Sequence, residues 1–109
     1  MGMSKSKFIY DPEVDSLMVY KEKQRIYGNV SLGEIIVGFD SEYNVVSVEI
    51  LNPDILFSIP KKMLESINSA SIKWQNRKSL ILISIHLVFN NKEEITIPIT
   101  LPVEKPLSA

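Results

Sequence analysis

Two acidic turns carry the residues best suited to bind a cation. Asp11, Glu13 and Asp15 alternate along the first turn, and Asp40 and Glu42 do so along the second. Hard cations such as Ca²⁺ prefer oxygen ligands, so the two turns would offer a metal site if the fold brought them together. Neither turn has the glycine and the distal glutamate of an EF-hand. We therefore favour capping of local backbone N–H groups as the role of both turns.

The single histidine, His86, is the main candidate for acid–base chemistry. It lies with Ser84 in the most apolar stretch of the chain, Leu80–Phe89. A histidine beside a serine can act as the general base of a hydrolase. No nucleophile-elbow or oxyanion-hole motif accompanies this pair in the sequence, so we favour a core or interface histidine bonded to a backbone group. No catalytic residue and no cofactor are assigned, and a small metal-dependent or hydrolytic enzyme using His86 or the acidic turns stays an alternative.

A basic segment is the candidate for nucleic-acid binding. Residues 61–78 carry five basic residues and one acid, whereas residues 31–60 carry five acids and no base. Bases combined with an aromatic ring suit phosphate neutralisation and base stacking; the residues concerned are Lys61, Lys62, Lys73, Trp74, Arg77 and Lys78. Because Trp74 shares its strand face with Ile72, we favour a core position for the tryptophan and a solvated hairpin tip for the charges.

Composition limits the classes of protein to consider. The chain has 109 residues, of which 15 are Ile and 9 are Val, and a net charge of −1. This length predicts a single domain over residues 1–109, and so many β-branched residues predict sheet. The absence of cysteine excludes disulfides, thiolate nucleophiles and cysteine-ligated metals, and agrees with a cytoplasmic protein. No apolar run reaches 18 residues, so we predict no transmembrane helix and no membrane partner.

Two similar hairpins are predicted in the N-terminal half. Each is a pair of alternating apolar strands around an acidic turn, and Tyr10–Val19 aligns without gaps on Phe39–Val48. We expect the two hairpins to lie side by side in one sheet. Lys21–Leu32, between them, is predicted to be a polar connection, and a short strand around Ile26 and Tyr27 is the alternative.

A short helix and a meander are predicted in the C-terminal half. Residues 53–69 form a helical connection, with Asn52 as a helix cap and a helix over residues 60–68. Residues 70–101 form a three-stranded meander, in which Pro98 places the last strand at the sheet edge. The fold class is therefore α+β, mainly antiparallel β. We expect residues 1–6 to be a flexible N-terminus and residues 102–109 to be a tail.

The hairpin region resembles a known family. Tyr10–Leu17, Glu34–Asp40 and Val45–Leu51 carry its pattern, in which a Tyr-Asp-Pro-Glu-x-Asp hairpin precedes a strand ending in Glu-Ile-Leu. On these residues the chain resembles the prokaryotic domain of unknown function 2283 family, over about residues 7–52. The resemblance implies no catalytic residue, and at most an antitoxin-like role.

These patterns favour a non-enzymatic interaction or regulatory module. Both faces of Leu80–Phe89 are largely apolar, and such a strand is normally buried on both faces. We therefore predict a homodimer whose interface uses the 71–101 meander or the 60–68 helix. A different protein partner, and nucleic-acid binding through residues 61–78, are the alternatives.

Overall fold

The chain forms eight strands and two one-turn helices over residues 6–102, which are the residues that the computed structural model describes. The predicted N-terminus and tail lie outside this range, apart from Ser6 and Pro102. No helix within it is long and apolar enough to cross a membrane. In chain order the elements are β1 (Ser6–Asp11), β2 (Ser16–Lys21), β3 (Gly28–Leu32), β4 (Ile35–Phe39), β5 (Val45–Leu51), α1 (Pro53–Leu56), α2 (Lys61–Leu64), β6 (Ile67–Arg77), β7 (Leu80–Phe89) and β8 (Glu94–Pro102).

The strands form two antiparallel sheets. The N-terminal sheet has the order β1-β2-β5-β4-β3, and the C-terminal sheet has the order β6-β7-β8. The two predicted hairpins lie side by side in the N-terminal sheet, joined through β2 and β5. Val19 pairs with Val48 across this junction, and these are also aligned positions of the two similar hairpins. The hairpins are therefore related by an approximate two-fold axis that passes through this pair.

The hydrophobic core lies between the two sheets. Alternate residues of β7 are buried, so that Ile81, Ile83, Ile85, Leu87 and Phe89 face the N-terminal sheet. Val19 and Val48 are 0% exposed beneath them. The other face of β7 is half-buried, which agrees with its mixture of apolar and polar side chains. The predicted α+β class with mainly antiparallel sheet is confirmed, and so is the C-terminal meander.

The predicted helix over residues 60–68 is much shorter in the structure. Helix α2 stops at Leu64, and β6 already begins at Ile67, which pairs with Phe89. Pairing with the long strand β7 buries Ile67 and outweighs the weak helical preference of these residues. Helix α1 begins at Pro53, as the sequence predicts, but the Asn52 side chain does not cap it.

A strand lies where the sequence predicts a polar connection. Residues Gly28–Leu32 form β3, which pairs with β4 and closes the N-terminal sheet on one side. A two-residue turn at Gly33 and Glu34 joins the two strands, and Gly33 has a φ of +61° that suits glycine. The prediction failed because the side chains of this short edge strand are only partly covered, so its hydrophobic pattern is weak.

We expect truncation on the buried face of β7 to destabilise the protein strongly. Ile85 is 0% exposed, so Ile85→Ala should lower the free energy of unfolding by about 2–5 kcal/mol. Ser84→Ala, on the opposite face of the same strand, should change it by about 0.5 kcal/mol or less. Urea denaturation at one fixed protein concentration measures both. Equal losses for the two variants would contradict the assignment of the faces.

Candidate functional site

The two acidic turns lie at opposite ends of the N-terminal sheet. Strands β2 and β5 are antiparallel, with Ser16 opposite Leu51 and Tyr20 opposite Ser47. The first turn therefore adjoins the end of β5, whereas the second turn precedes its start. The seven residues of β5 span about 20 Å, so the two sets of carboxylates do not share a site. Among residues 6–102 no group of three or more histidine or acidic residues has metal-binding geometry.

Each turn uses its first aspartate to bind its own backbone. Asp11 Oδ1 accepts the Glu13 N–H at 3.0 Å, and Asp40 Oδ1 accepts the Glu42 N–H at 2.9 Å. Asp40 also accepts the backbone and side-chain N–H groups of Asn44, at 2.9 Å and 3.0 Å. Burial acts to raise the pKa of Asp40, but these hydrogen bonds stabilise the carboxylate, and the pKa is lowered. The geometry of both turns is that of local backbone capping.

His86 lies on the outer face of the C-terminal sheet. Its Nε2 is 2.9 Å from Glu94 Oε1, and its Nδ1 is 3.2 Å from Thr96 Oγ1. The side chain is 39% exposed. Both ring nitrogens are thus engaged by neighbours on the adjacent strand β8. Nothing in this arrangement activates a serine hydroxyl.

The basic residues of segment 61–78 do not form one surface. Lys61 and Lys62 belong to α2, before the start of β6, whereas Arg77 and Lys78 lie at its far end. The eleven residues of β6 separate the two pairs by about 30 Å. Lys73 is exposed on the outer face of the sheet, and the Trp74 ring packs against the core on the inner face. The aromatic ring and the bases that would surround it therefore face opposite directions.

A third cluster, which the sequence did not reveal, joins the first hairpin to the helices. Asp15 is only 7% exposed, and the Tyr10 hydroxyl donates to its Oδ1 at 2.7 Å. The Asp15 carboxyl is also hydrogen-bonded to the carboxyl of Asp54 in α1. The backbone supports the contact, because the Asn52 N–H donates to the Asp15 carbonyl at 2.8 Å. Within residues 6–102 every buried side-chain nitrogen and oxygen has a partner.

The two carboxyl groups of this cluster shift each other's pKa in opposite directions. A hydrogen bond between two carboxyls requires one of them to be protonated. Burial, together with the bond to Asp54, raises the pKa of Asp15, whereas the bond from Asp15 lowers the pKa of Asp54. When one of the two carboxyls is protonated, these directions place the proton on Asp15. Burial and the contact with Asp15 also raise the pKa of the Tyr10 hydroxyl, which stays protonated.

This cluster fastens helix α1 to the first turn. Lys61 in α2 and Glu65, which directly follows α2, also act electrostatically on the cluster. The Asn52 side chain, which the sequence assigns to a helix cap, instead donates to Glu34 Oε1 at 3.0 Å. The contact between Tyr10 and Asp15 has a partial signal in the sequence, since the two residues flank one turn. The contact with Asp54 has none, because only the tertiary fold brings α1 to that turn.

An apolar groove lies beside the edge strand β8. It has a volume of about 450 Å³, and it contains none of the residues predicted from the sequence to do chemistry. Its walls come from the helical connection and from β8; they are Phe57, Ser58, Ile59, Pro60, Met63, Ile95, Thr96, Ile97 and Pro98. A groove without a reactive side chain suits binding better than catalysis.

We expect Asp15→Asn to remove a pH-dependent loss of stability. A group whose pKa is raised by folding stabilises the protein below its unfolded pKa, here 3.8, and this contribution is lost as the pH rises through the folded pKa. The amide of the variant keeps a donor for Asp54 and an acceptor for Tyr10 without ionising. The stability of the variant relative to the natural protein should therefore increase as the pH rises from the unfolded pKa of 3.8 through the higher folded pKa. Asp15→Ala, which leaves the Tyr10 hydroxyl without its acceptor, should cost about 1–3 kcal/mol.

Asp40→Asn should show the opposite pH dependence. The lowered pKa of Asp40 means that its carboxylate stabilises the fold above the unfolded pKa of 3.8, and that this contribution is lost as the pH falls through the folded pKa. The variant should be less stable than the natural protein at pH 7 by about 1 kcal/mol, and the difference should shrink in acid. Denaturation curves at several pH values measure both aspartate variants. Parallel pH profiles for the two variants would contradict these assignments.

Comparison with known proteins confirms the family resemblance. Residues 7–52, which contain β1 to β5 apart from Ser6, match the model of a family described as protein of unknown function (DUF2283). The uncharacterized protein MJ0789 of Methanocaldococcus jannaschii is 36% identical over 93 residues, which cover 84% of this chain and 80% of the relative. That likeness is long enough to extend into the C-terminal sheet. No solved structure matches the chain. The chain therefore belongs to the DUF2283 family of proteins of unknown function.

Proposed function

We propose that this protein is a non-enzymatic interaction module that acts as a homodimer. The separation of its chemically capable residues supports the proposal. His86, the first acidic turn with its buried Asp15, and the second acidic turn occupy three different places, and each is engaged by hydrogen bonds to its own neighbours. An active site needs such groups to converge on one reacting atom.

One surface carries the proposal, and we name it the β3 border. Large apolar side chains are exposed on β3, in the residues before it and in α1: Ile26, Tyr27, Val30, Leu32, Ile55 and Leu56. The first four belong to β3 and the residues before it. The last two belong to α1, which is held beside the β3–β4 turn by the bond between Asn52 and Glu34. A concentration of exposed large apolar side chains at one edge of a sheet is typical of protein–protein contacts.

The alternatives have less support from the geometry. Nucleic-acid binding through residues 61–78 needs the bases and Trp74 to share a face, and they lie on opposite faces or at opposite ends of β6. A hydrolase needs a nucleophile next to His86, whose ring nitrogens contact Glu94 and Thr96 instead. A protein-binding module would act by holding its partner, which agrees with the regulatory or antitoxin-like role that the family resemblance suggests.

Light scattering coupled to gel filtration tests the proposal. At micromolar concentration the protein should elute with twice the 12.4 kDa mass of one chain. The mass should not depend strongly on salt, because apolar contacts are not screened by ions. A single species of one-chain mass at concentrations up to about 100 µM would overturn the homodimer.

A further inference from the structure

The four edges of the two sheets, over residues 6–102, differ in their ability to accept another strand. Strands β1 and β6 pack against each other where the two sheets meet, and the Ile72 N–H donates to Ser6 Oγ at 3.4 Å. These two edges are therefore covered by the protein itself. Strands β3 and β8 are the outermost strands on the other sides, and an unprotected outer edge invites pairing with a further strand.

Strand β8 is protected by proline. The Phe89 N–H donates to the Glu93 carbonyl at 2.9 Å, and bonded and non-bonded pairs alternate along an antiparallel ladder. Counting along the ladder from this bonded pair, Pro98 and Pro102 fall at non-bonded pairs. Their backbone groups therefore face away from β7, toward the open edge. Neither residue has an N–H to donate. An added strand would thus lose two of its hydrogen bonds at this edge.

Strand β3 has no such protection. Its five residues, Gly28–Leu32, include no proline and no charged residue, and its register with β4 is regular. Val30 is 41% exposed and Leu32 is 39% exposed, on the face that elsewhere covers the core. Proteins protect exposed strand edges with prolines, charges or bulges unless the edge is used.

We propose that β3 pairs antiparallel with β3 of a second copy of this chain, which joins the two five-stranded sheets into one continuous sheet. The inference rests on the proposed homodimer and identifies its interface. It replaces the interface expected from the sequence, which used the meander or the 60–68 helix. The inner face of the meander is already buried against the N-terminal sheet, and Pro98 and Pro102 occupy its open edge.

The register follows from the apolar side chains. A two-fold axis through Val30 places Val30 opposite Val30 of the partner subunit, and Leu32 opposite Gly28 of the partner subunit. All these side chains then lie on one face of the combined sheet, next to the two cores. A shift by one residue would turn the Val30 and Leu32 side chains of one copy to the opposite face of the combined sheet.

Charge at the two ends of β3 favours a second copy as the occupant. Glu34 follows the strand, whereas Lys23 and Arg25 precede it, and all three side chains are exposed. Antiparallel self-pairing brings the acidic end of each copy beside the basic end of the other. The arrangement is self-complementary, as a two-fold interface requires.

Charge reversal at Val30 tests the interface. Val30→Lys places two like charges at the two-fold axis, so the observed mass should fall from two chains to one. Val30→Glu should do the same, and mixing the two variants should restore the dimer because opposite charges then meet. Thr100→Lys, at an exposed position on β8, should leave the dimer intact. Circular dichroism spectra matching the natural protein would show that each variant is folded.

A cysteine cross-link tests the register independently of the charge variants. The chain has no cysteine, so Val30→Cys introduces a single thiol. Facing residues of antiparallel strands have Cα atoms about 4.5–5.5 Å apart, which allows a disulfide. Under mild oxidation Val30→Cys should convert to the covalent dimer, whereas Thr100→Cys should not.

The outcomes separate the two proposals. Suppose that the natural protein is a dimer, that Val30→Lys has the same dimer mass, and that Val30→Cys does not cross-link. This result would overturn the β3 interface and leave the homodimer standing. A natural protein of one-chain mass would overturn both. The register would also be overturned if Val30→Lys dissociates, mixing it with Val30→Glu does not restore the dimer, and Val30→Cys does not cross-link.

Discussion

The antiparallel pairing of β2 with β5 is the contact on which the rest of the structure depends. It joins two similar hairpins, and at its centre Val19 and Val48 are fully buried against β7. A one-residue slip would turn the apolar side chains of one hairpin toward solvent, so burial fixes the register. The sequence similarity between the hairpins appears in the N-terminal sheet as an approximate two-fold symmetry that relates β1 and β2 to β4 and β5. The family model matches the residues of this sheet.

This pairing also decides where chemistry is possible. Because β2 and β5 run in opposite directions, the two acidic turns lie at opposite ends of the sheet, too far apart to share a cation. The same geometry brings the first turn to the end of β5, where the chain continues into α1. Asp15 and Asp54 meet there, and the electrostatic coupling of their carboxyl groups is a product of the tertiary structure. Burial of a carboxyl is tolerated at this point because its hydrogen bonds are complete.

The two sheets differ in how their outer edges are closed. The C-terminal sheet ends in a strand with two prolines, while the N-terminal sheet ends in the short uncharged strand β3. A two-sheet sandwich of this size leaves apolar side chains at its borders, because three strands cannot cover five. The exposure of Val30 and Leu32 in the β3 border follows from this mismatch, and a second copy of the sheet is a direct way to cover them.

The sequence by itself determined the local features of this protein, and only the tertiary structure decided which elements meet. Alternation of apolar residues predicted seven of the eight strands, and Pro98 predicted an edge strand, because these features depend on residues close together in the chain. Pairing with β4 made a strand of Gly28–Leu32, and pairing with β7 drew Ile67 out of the predicted helix. The fold also joined Asp15 to Asp54 across the whole second hairpin. Each of these outcomes depends on burial and hydrogen bonding between distant segments, and no local pattern of residue types contains that information.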